Sequence, residues 1–182
     1  MRDGPPATGV LVICTGNAAR SVMAGFMLER LADRDGIALE VVTAGTLAVE
    51  GQPMSMRTRA AIASIDELAD VPVSHHRSRQ LTDAHLRRAD LVVAMEADHV
   101  RYVRRRHAEA AGRTATLRRL VRDLAPEARP LADRVADLRL AEVEVDPSEE
   151  VADPAGRPDE AYLECARELW SLCRELAPRL GA

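Results

Sequence analysis

Apolar positions in this chain follow two periods, and their alternation is the first structural statement the sequence makes. Val10-Leu11-Val12-Ile13 and Leu91-Val92-Val93-Ala94 are short, unbroken apolar runs, the pattern of strands buried on both faces of a parallel sheet. Leu39-Glu40-Val41-Val42-Thr43 reads as a further strand, closed by the Gly-bearing turn Ala44-Gly45-Thr46. Elsewhere the period is that of a helix. Met23, Met27, Leu28 and Leu31 recur at helical spacing, and that helix stops over Asp33 to Gly36. Residues 54–64 are expected to be helical with Met56, Ala60, Ala61 and Ile62 inward, as is the stretch from Asp98 to Ala111. Thr82 is the expected N-cap of a short helix, and Val71-Pro72-Val73 reads as extended because Pro72 disfavours helix before it.

Beyond Ala111 the pattern leaves alternatives open. Leu117, Leu120, Val121 and Leu124 give a helical period, while residues 114–118 also suit a short fourth strand. Pro126 and Pro130 precede Leu131, Val135, Leu138 and Leu140, which suggests a short helix; an acidic stretch, Glu142 to Glu150, follows. Asp159 to Leu180 is strongly amphipathic, with Tyr162, Cys165, Ala166, Leu169, Leu172, Cys173 and Leu176 on one stripe. Strands alternating with helices predict right-handed crossovers. The expected fold is a single α/β domain, a parallel sheet of about four strands with helices on both faces, plus a partly helical insertion near 126–150. Residues 1–8 are expected to be a flexible tail and residues 9–182 the domain.

Composition narrows the picture further. Aromatic residues make up 2% of the 182, so the core must be built from Ala, Val, Leu and Ile. All 25 basic residues are Arg, yet the formal net charge is −4, which argues against a general nucleic-acid binder. No apolar run approaches the ~20 residues that span a bilayer, and MRDGPPATG is too polar for a signal peptide. A cytoplasmic protein with its 3 cysteines reduced is expected, without membrane or nucleic-acid partners.

The candidate chemistry lies where the first strand meets the first helix, in Cys14-Thr15-Gly16-Asn17-Ala18-Ala19-Arg20-Ser21. Gly and Asn are the residues that best tolerate left-handed backbone. A loop built on them can turn its amides inward above a helix N-terminus and cradle a tetrahedral oxyanion, with Cys14 at the bottom. Spacing alone proves little, because Cys173 and Arg179 repeat it. That copy has neither a strand before it nor a Gly to turn on, and Glu175 would repel an anion. Arg20 at a helix N-terminus opposes the dipole and needs an anion to justify it.

This stretch resembles the signature of the low-molecular-weight protein tyrosine phosphatase and arsenate reductase family. Further blocks match in the family's order: Thr43-Ala44-Gly45-Thr46, His76-Arg77-Ser78-Arg79-Gln80-Leu81, Ala89 to Met95, and Asp153-Pro154 before a final helix containing Tyr162. The resemblance covers about residues 9–125 and 151–180. It implies a cysteine-dependent phosphatase that passes through a cysteinyl-phosphate, with no metal and no organic cofactor. The thiolate of Cys14 is then the nucleophile, and the planar fork of Arg20 holds phosphoryl oxygens. Residues 15–21 bind the phosphate. Ser21 steadies the thiolate, Asn17 holds the strained turn, His76 supports the loop asparagine, and Thr43 stands where many members have Ser.

A general acid must also protonate the leaving group. Two Asp-Pro pairs qualify, Asp146-Pro147 and Asp153-Pro154; Asp153 is preferred because Gly156 follows and the helix with Tyr162 begins at the family's distance. Expected substrates are phosphorylated proteins, of phosphotyrosine type, or small aryl phosphates. An arsenate reductase fed by an external thiol is the alternative, and a non-catalytic phosphate-binding or interaction module a third reading. The chain departs from the family pattern in several places. Ala19 stands where many members carry a second loop Cys, Val22 replaces a Pro, and Gly25 replaces an acidic residue. Neither 47–51 nor Ala155 supplies the aromatic wall of tyrosine-specific members.

Overall fold

A computed structural model of the chain describes residues 7–181. Its centre is a sheet of four parallel strands, β1 (Thr8–Cys14), β2 (Leu39–Gly45), β3 (Leu91–Ala94) and β4 (Thr114–Thr116), in the order β2-β1-β3-β4. β1 pairs with β2 from Thr8↔Leu39 to Cys14↔Gly45 and with β3 from Val10↔Leu91 to Ile13↔Ala94. Strands 1 and 3 read as unbroken apolar runs because both of their faces are covered. Val10, Val12 and Cys14 point into one core cluster, Leu11 and Ile13 into the other.

The larger cluster lies under α1 (Arg20–Asp35), α2 (Met56–Ala63), α5 (Leu117–Asp123), α6 (Leu131–Asp137) and α7 (Asp159–Leu180). The smaller lies under α3 (Asp83–Arg87) and α4 (Ala97–Arg106). The predicted stripe of α7 is buried throughout, facing Met23, Met27, Leu28 and Leu31 of α1 in the same cluster. Burial of each large aliphatic side chain contributes roughly 1.5–3 kcal/mol. Gly36 ends α1 in the left-handed conformation at φ 67°, and Thr82 caps α3 by accepting from the His85 amide.

Several expectations need correction. Thr8, assigned to the tail, is the first residue of β1, while residues 1–6 lie outside the described residues. Ala61 and Ile62 are buried as expected, but Met56 and Ala60 face solvent and Thr58 completes the buried side of α2. The helix expected to reach Ala111 stops at Arg106. His107 leaves helical geometry at φ −145°, ψ 58°, and a 3-10 turn, Ala108–Arg113, delivers the chain to β4. Both readings of 114–124 hold in succession, since Thr116 ends β4 and its hydroxyl caps α5. Within 126–150 the structure is α6 and a 3-10 turn at Pro147–Glu149. Among the described residues no helix is long and apolar enough to cross a membrane.

Candidate active site

Cys14 ends β1 and Arg20 opens α1, so Thr15 to Ala19 must turn the chain between the carboxyl end of a strand and the amino end of a helix. α1 has no side-chain cap and no acidic residue in its first turn. Its free amides and dipole are left facing the loop, where an anion can take them.

The turn is made at Asn17, which holds φ 49° and is fully buried; Gly16 does not enter the left-handed region. Asn17 can occupy that conformation because its side chain and carbonyl are engaged. Its Oδ1 accepts from the Arg79 amide at 2.9 Å, its Nδ2 donates to Ser21 Oγ at 3.0 Å, and its carbonyl lies 3.0 Å from His76 Nε2. A carbonyl only accepts, so His76 carries its proton on Nε2. Burial lowers the pKa of His76, which favours the neutral ring. Ser21 Oγ, which accepts from Asn17, lies 3.0 Å from Cys14 Sγ, in reach to donate its proton to a thiolate there.

Three neighbours brace the loop from outside. The amides of Thr46 and Leu47 donate to the carbonyls of Cys14 and Thr15, each at 2.9 Å. Thr58 Oγ1 donates to Ala18 O at 3.0 Å. Gly45 lets the second strand come this close: a Cβ there would sit 2.5 Å from Thr15 O and 2.9 Å from Asn17 N.

Arg20 is 1% exposed and is held by groups from two other elements. Its NH1 donates to Glu96 and to Val151 O at 2.9 Å, and its NH2 to Asp153 Oδ2 at 2.6 Å. Glu96 is the N-cap position of α4, two residues beyond the end of β3. One turn on, His99 Nδ1 accepts from the Glu96 amide, so its proton sits on Nε2 and is donated to Thr15 Oγ1 at 3.0 Å. Burial is the main cause that lowers the pKa of His99 to about 4, so this ring is neutral at ordinary pH. Asp153 Oδ1 also accepts from the Ala155 amide at 3.0 Å, which folds its loop over the site.

A thiol, a serine hydroxyl beside it, an amide-lined turn and a guanidinium tied to a distant carboxylate form a centre for phosphoryl transfer. The family profile of the low molecular weight phosphotyrosine protein phosphatases matches residues 9–182. The chain belongs to that family.

As a member of it, the protein is a cysteine-dependent phosphatase. The chain is 30% identical over 171 residues to a protein-arginine-phosphatase of Geobacillus stearothermophilus, covering 94% of this chain and 95% of that one. It is 31% identical over 105 residues to the probable low molecular weight protein-tyrosine-phosphatase EpsP of Ralstonia solanacearum, covering 57% and 66%. Among solved structures, the low molecular weight protein tyrosine phosphatase from T. tengcongensis superposes with a TM-score of 0.74 at 29% identity, over 93% of this chain and 97% of that one. The YwlE arginine phosphatase from Geobacillus stearothermophilus superposes with a TM-score of 0.71 at 29% identity, over 93% and 90%.

The fold gathers Cys14, residues 15–19, Arg20, Ser21, His76 and Asp153. It does not gather Thr43, whose methyl packs toward Gly25 of α1 and which makes no hydrogen bond to the loop among the described residues. Nor does it gather Asp146. That carboxylate caps its own 3-10 turn through the Ser148 amide, the hydrogen bond that chiefly lowers its pKa. Sequence reasoning missed Glu96, His99 and Thr58. The rule that ligands bind at the carboxyl ends of parallel strands pointed to the end of β3, and Glu96 is the second residue beyond it. Cys165 and Cys173 are buried in the core, with burial pushing the Cys165 thiol up to about 12 and Cys173 up as well. Among the described residues Asp83, His107 and Glu109 form a group able to hold a metal, but they lie apart from the loop, at the surface between α3 and α4.

Proposed function

We propose that the chain removes phosphate from phosphorylated protein side chains in two steps centred on Cys14. The Cys14 thiolate attacks phosphorus in line with the leaving group, while Arg20 and the amides of residues 15–21 hold the three non-bridging oxygens. Asp153 protonates the departing atom and then activates water against the cysteinyl-phosphate. One observation carries this reading: the guanidinium beside the thiol loop is bonded at 2.6 Å to a carboxylate 133 residues away. Rapid mixing with an aryl phosphate should give a burst of alcohol. Cys14→Ser should remove turnover while vanadate still binds; undiminished turnover in that variant would sink the mechanism.

A second reading concerns the leaving group, and the mouth of the site favours it. Ala18, Leu47, Val49 and Ala155 are exposed and offer no ring to stack on a phenyl group. The protein-arginine-phosphatase matches over nearly its whole length, whereas the EpsP match covers 57% of this chain. On this reading phosphoarginine is the preferred protein substrate, and aryl phosphates are turned over with less help from the walls. The guanidine nitrogen is more basic than a phenolate, about 12.5 or more against about 10, so it depends more heavily on an acid at Asp153. Equal peptides carrying phosphoarginine and phosphotyrosine decide the matter; a higher kcat/KM for phosphotyrosine returns the protein to the aryl class. Arsenate remains the alternative oxyanion. It calls for an external thiol, because Cys165 and Cys173 are buried in the core, and arsenite formed in the presence of such a thiol would support it.

A further inference from the structure

The segment before Asp153 is laid across the carboxyl ends of three strands in turn. It starts at Glu149, whose side chain is 4% exposed and whose carboxylate is hydrogen-bonded at Oε2 and only ion-paired at Oε1. Thr116 Oγ1, at the end of β4, donates to Oε2 at 2.9 Å, and Arg119 Nε donates to the same oxygen at 3.0 Å. Arg119 NH2 pairs with Oε1 at 2.7 Å, and Arg122 NH2 lies 3.0 Å from it. Two residues on, the Val151 amide donates to Met95 O, just past β3, at 2.9 Å. The Val151 carbonyl and the Asp153 carboxylate then receive Arg20, which opens α1 just after the loop that follows β1.

This strap is short, with about 3 Å of extended chain to spare over the straight path. Neighbouring strands lie about 4.8 Å apart, so the path from β4 over β3 to β1 is roughly 10 Å. Four residues of extended chain reach only about 13 Å. Displacement of Glu149 reaches Asp153 through the Val151 backbone, which is itself bonded to Met95 and Arg20. Val151 and Ala152 offer no polar side-chain atom, and between the two carboxylates the chain is held through the Val151 amide and carbonyl. Before Glu149, the chain of 138–146 is tied down at Leu140 O and Val143 O by Arg104 and at Glu144 O by Arg119.

We propose that Glu149 is the anchor from which the acid loop is hung, a positioning residue that fixes Asp153 over the leaving-group side of the site; this rests on the reading of Asp153 as the general acid. The stretch 126–150 then serves catalysis, by holding Glu149 against α5. Its effect must show as a loss of proton donation, which distinguishes it from simple structural support. A graded series of aryl phosphates, from a dinitrophenyl ester to phenyl phosphate, reads this out through kcat/KM, which reports only the steps up to expulsion of the alcohol.

Wild type should depend weakly on the leaving group, and Asp153→Asn steeply. Glu149→Ala should fall between, losing about tenfold or more on phenyl phosphate and about twofold or less on the dinitrophenyl ester. Glu149→Gln, which keeps the volume and the Thr116 contact, should show a smaller loss of the same form, and it decides the case if the Ala variant does not fold. Phosphate protection of Cys14 against iodoacetate should be unchanged in both. A uniform loss across the series, or none, overturns the anchor. A shallow dependence in Asp153→Asn overturns the acid assignment itself, and the anchor falls with it.

Discussion

At the scale of single residues, the loop is a place where the backbone is held in a conformation that the surroundings must stabilise. A non-glycine residue at φ 49° costs free energy, and Asn17 offsets that cost by satisfying its side chain and carbonyl with Arg79, Ser21 and His76. Gly45→Ala should therefore damage the site from the side, by pushing a methyl into Thr15 O and Asn17 N. The expected result is vanadate affinity weakened by tenfold or more, about 1.4 kcal/mol, measured by competitive inhibition; unchanged affinity would show that the loop can shift freely. His99 makes a pH-dependent contribution. Its pKa is lowered to about 4 from an ordinary 6.5, so between those values the unfolded chain binds a proton that the folded chain refuses. Stability consequently rises with pH across that window and levels off above it, by on the order of 3 kcal/mol for this group. Urea titrations near pH 4.5 and near pH 7 should show a smaller acid-induced loss in His99→Asn than in wild type.

Cys14, Arg20 and Ser21 were legible because they are local: spacing, a preceding strand and a following helix put them together before any tertiary contact is known. Glu96 and His99 were not, because their meaning depends on the register of β3 against β1, which sets Met95 beside Ile13 and so brings the start of α4 over the loop. The choice between the two Asp-Pro pairs needed tertiary contacts too. Identical dipeptides within ten residues differ in that one reaches Arg20 and the other caps its own turn.

At the scale of elements, periodicity was a good guide wherever an element is buried on a well-defined side. The strands and α7 satisfy that condition; α2 does not. It packs through Thr58, Ala61 and Ile62, and Met56 projects from its first turn with 77% exposure. Hydrophobicity at a helix end says little about facing. The early stop of α4 has a similar origin, since the apolar pattern runs on through Ala108, Ala110 and Ala111 while the geometry needed to enter β4 breaks the helix at His107. The packing of α7 belongs to stability and not to chemistry. Leu169→Ala, at a fully buried position of its stripe, should cost about 2–5 kcal/mol by the lost transfer energy and the cavity left behind. Chemical denaturation measures that, and kcat/KM at low temperature should stay within about twofold of wild type. A large catalytic defect there would mean that α7 does more than cover the sheet.

At the scale of the whole molecule, pieces far apart in sequence converge because four parallel strands release their chains at one end. β1 delivers the thiol loop, β2 the Gly45 turn, β3 the Glu96-His99 turn, and β4, through Glu149, the strap that carries the acid. That arrangement builds the floor of the site but leaves its walls to exposed loop positions, and here those positions are small or aliphatic. An aromatic wall is then a gain that can be engineered. Ala155 is exposed and contributes only its amide to Asp153, so Ala155→Tyr can place a ring beside the leaving group without disturbing that bond. Stacking and burial of a phenyl group contribute about 0.5–1.5 kcal/mol, which corresponds to a rise of about twofold to tenfold in kcat/KM for a phosphotyrosine peptide. A phosphoarginine peptide can also meet the ring, through a cation–π contact of about 0.5–1 kcal/mol at an exposed site, so it should rise by no more than about fivefold. If both substrates improve equally, the ring does not discriminate between the two leaving groups. If neither changes, the leaving group departs on the other side of the mouth, along Leu47 and Val49.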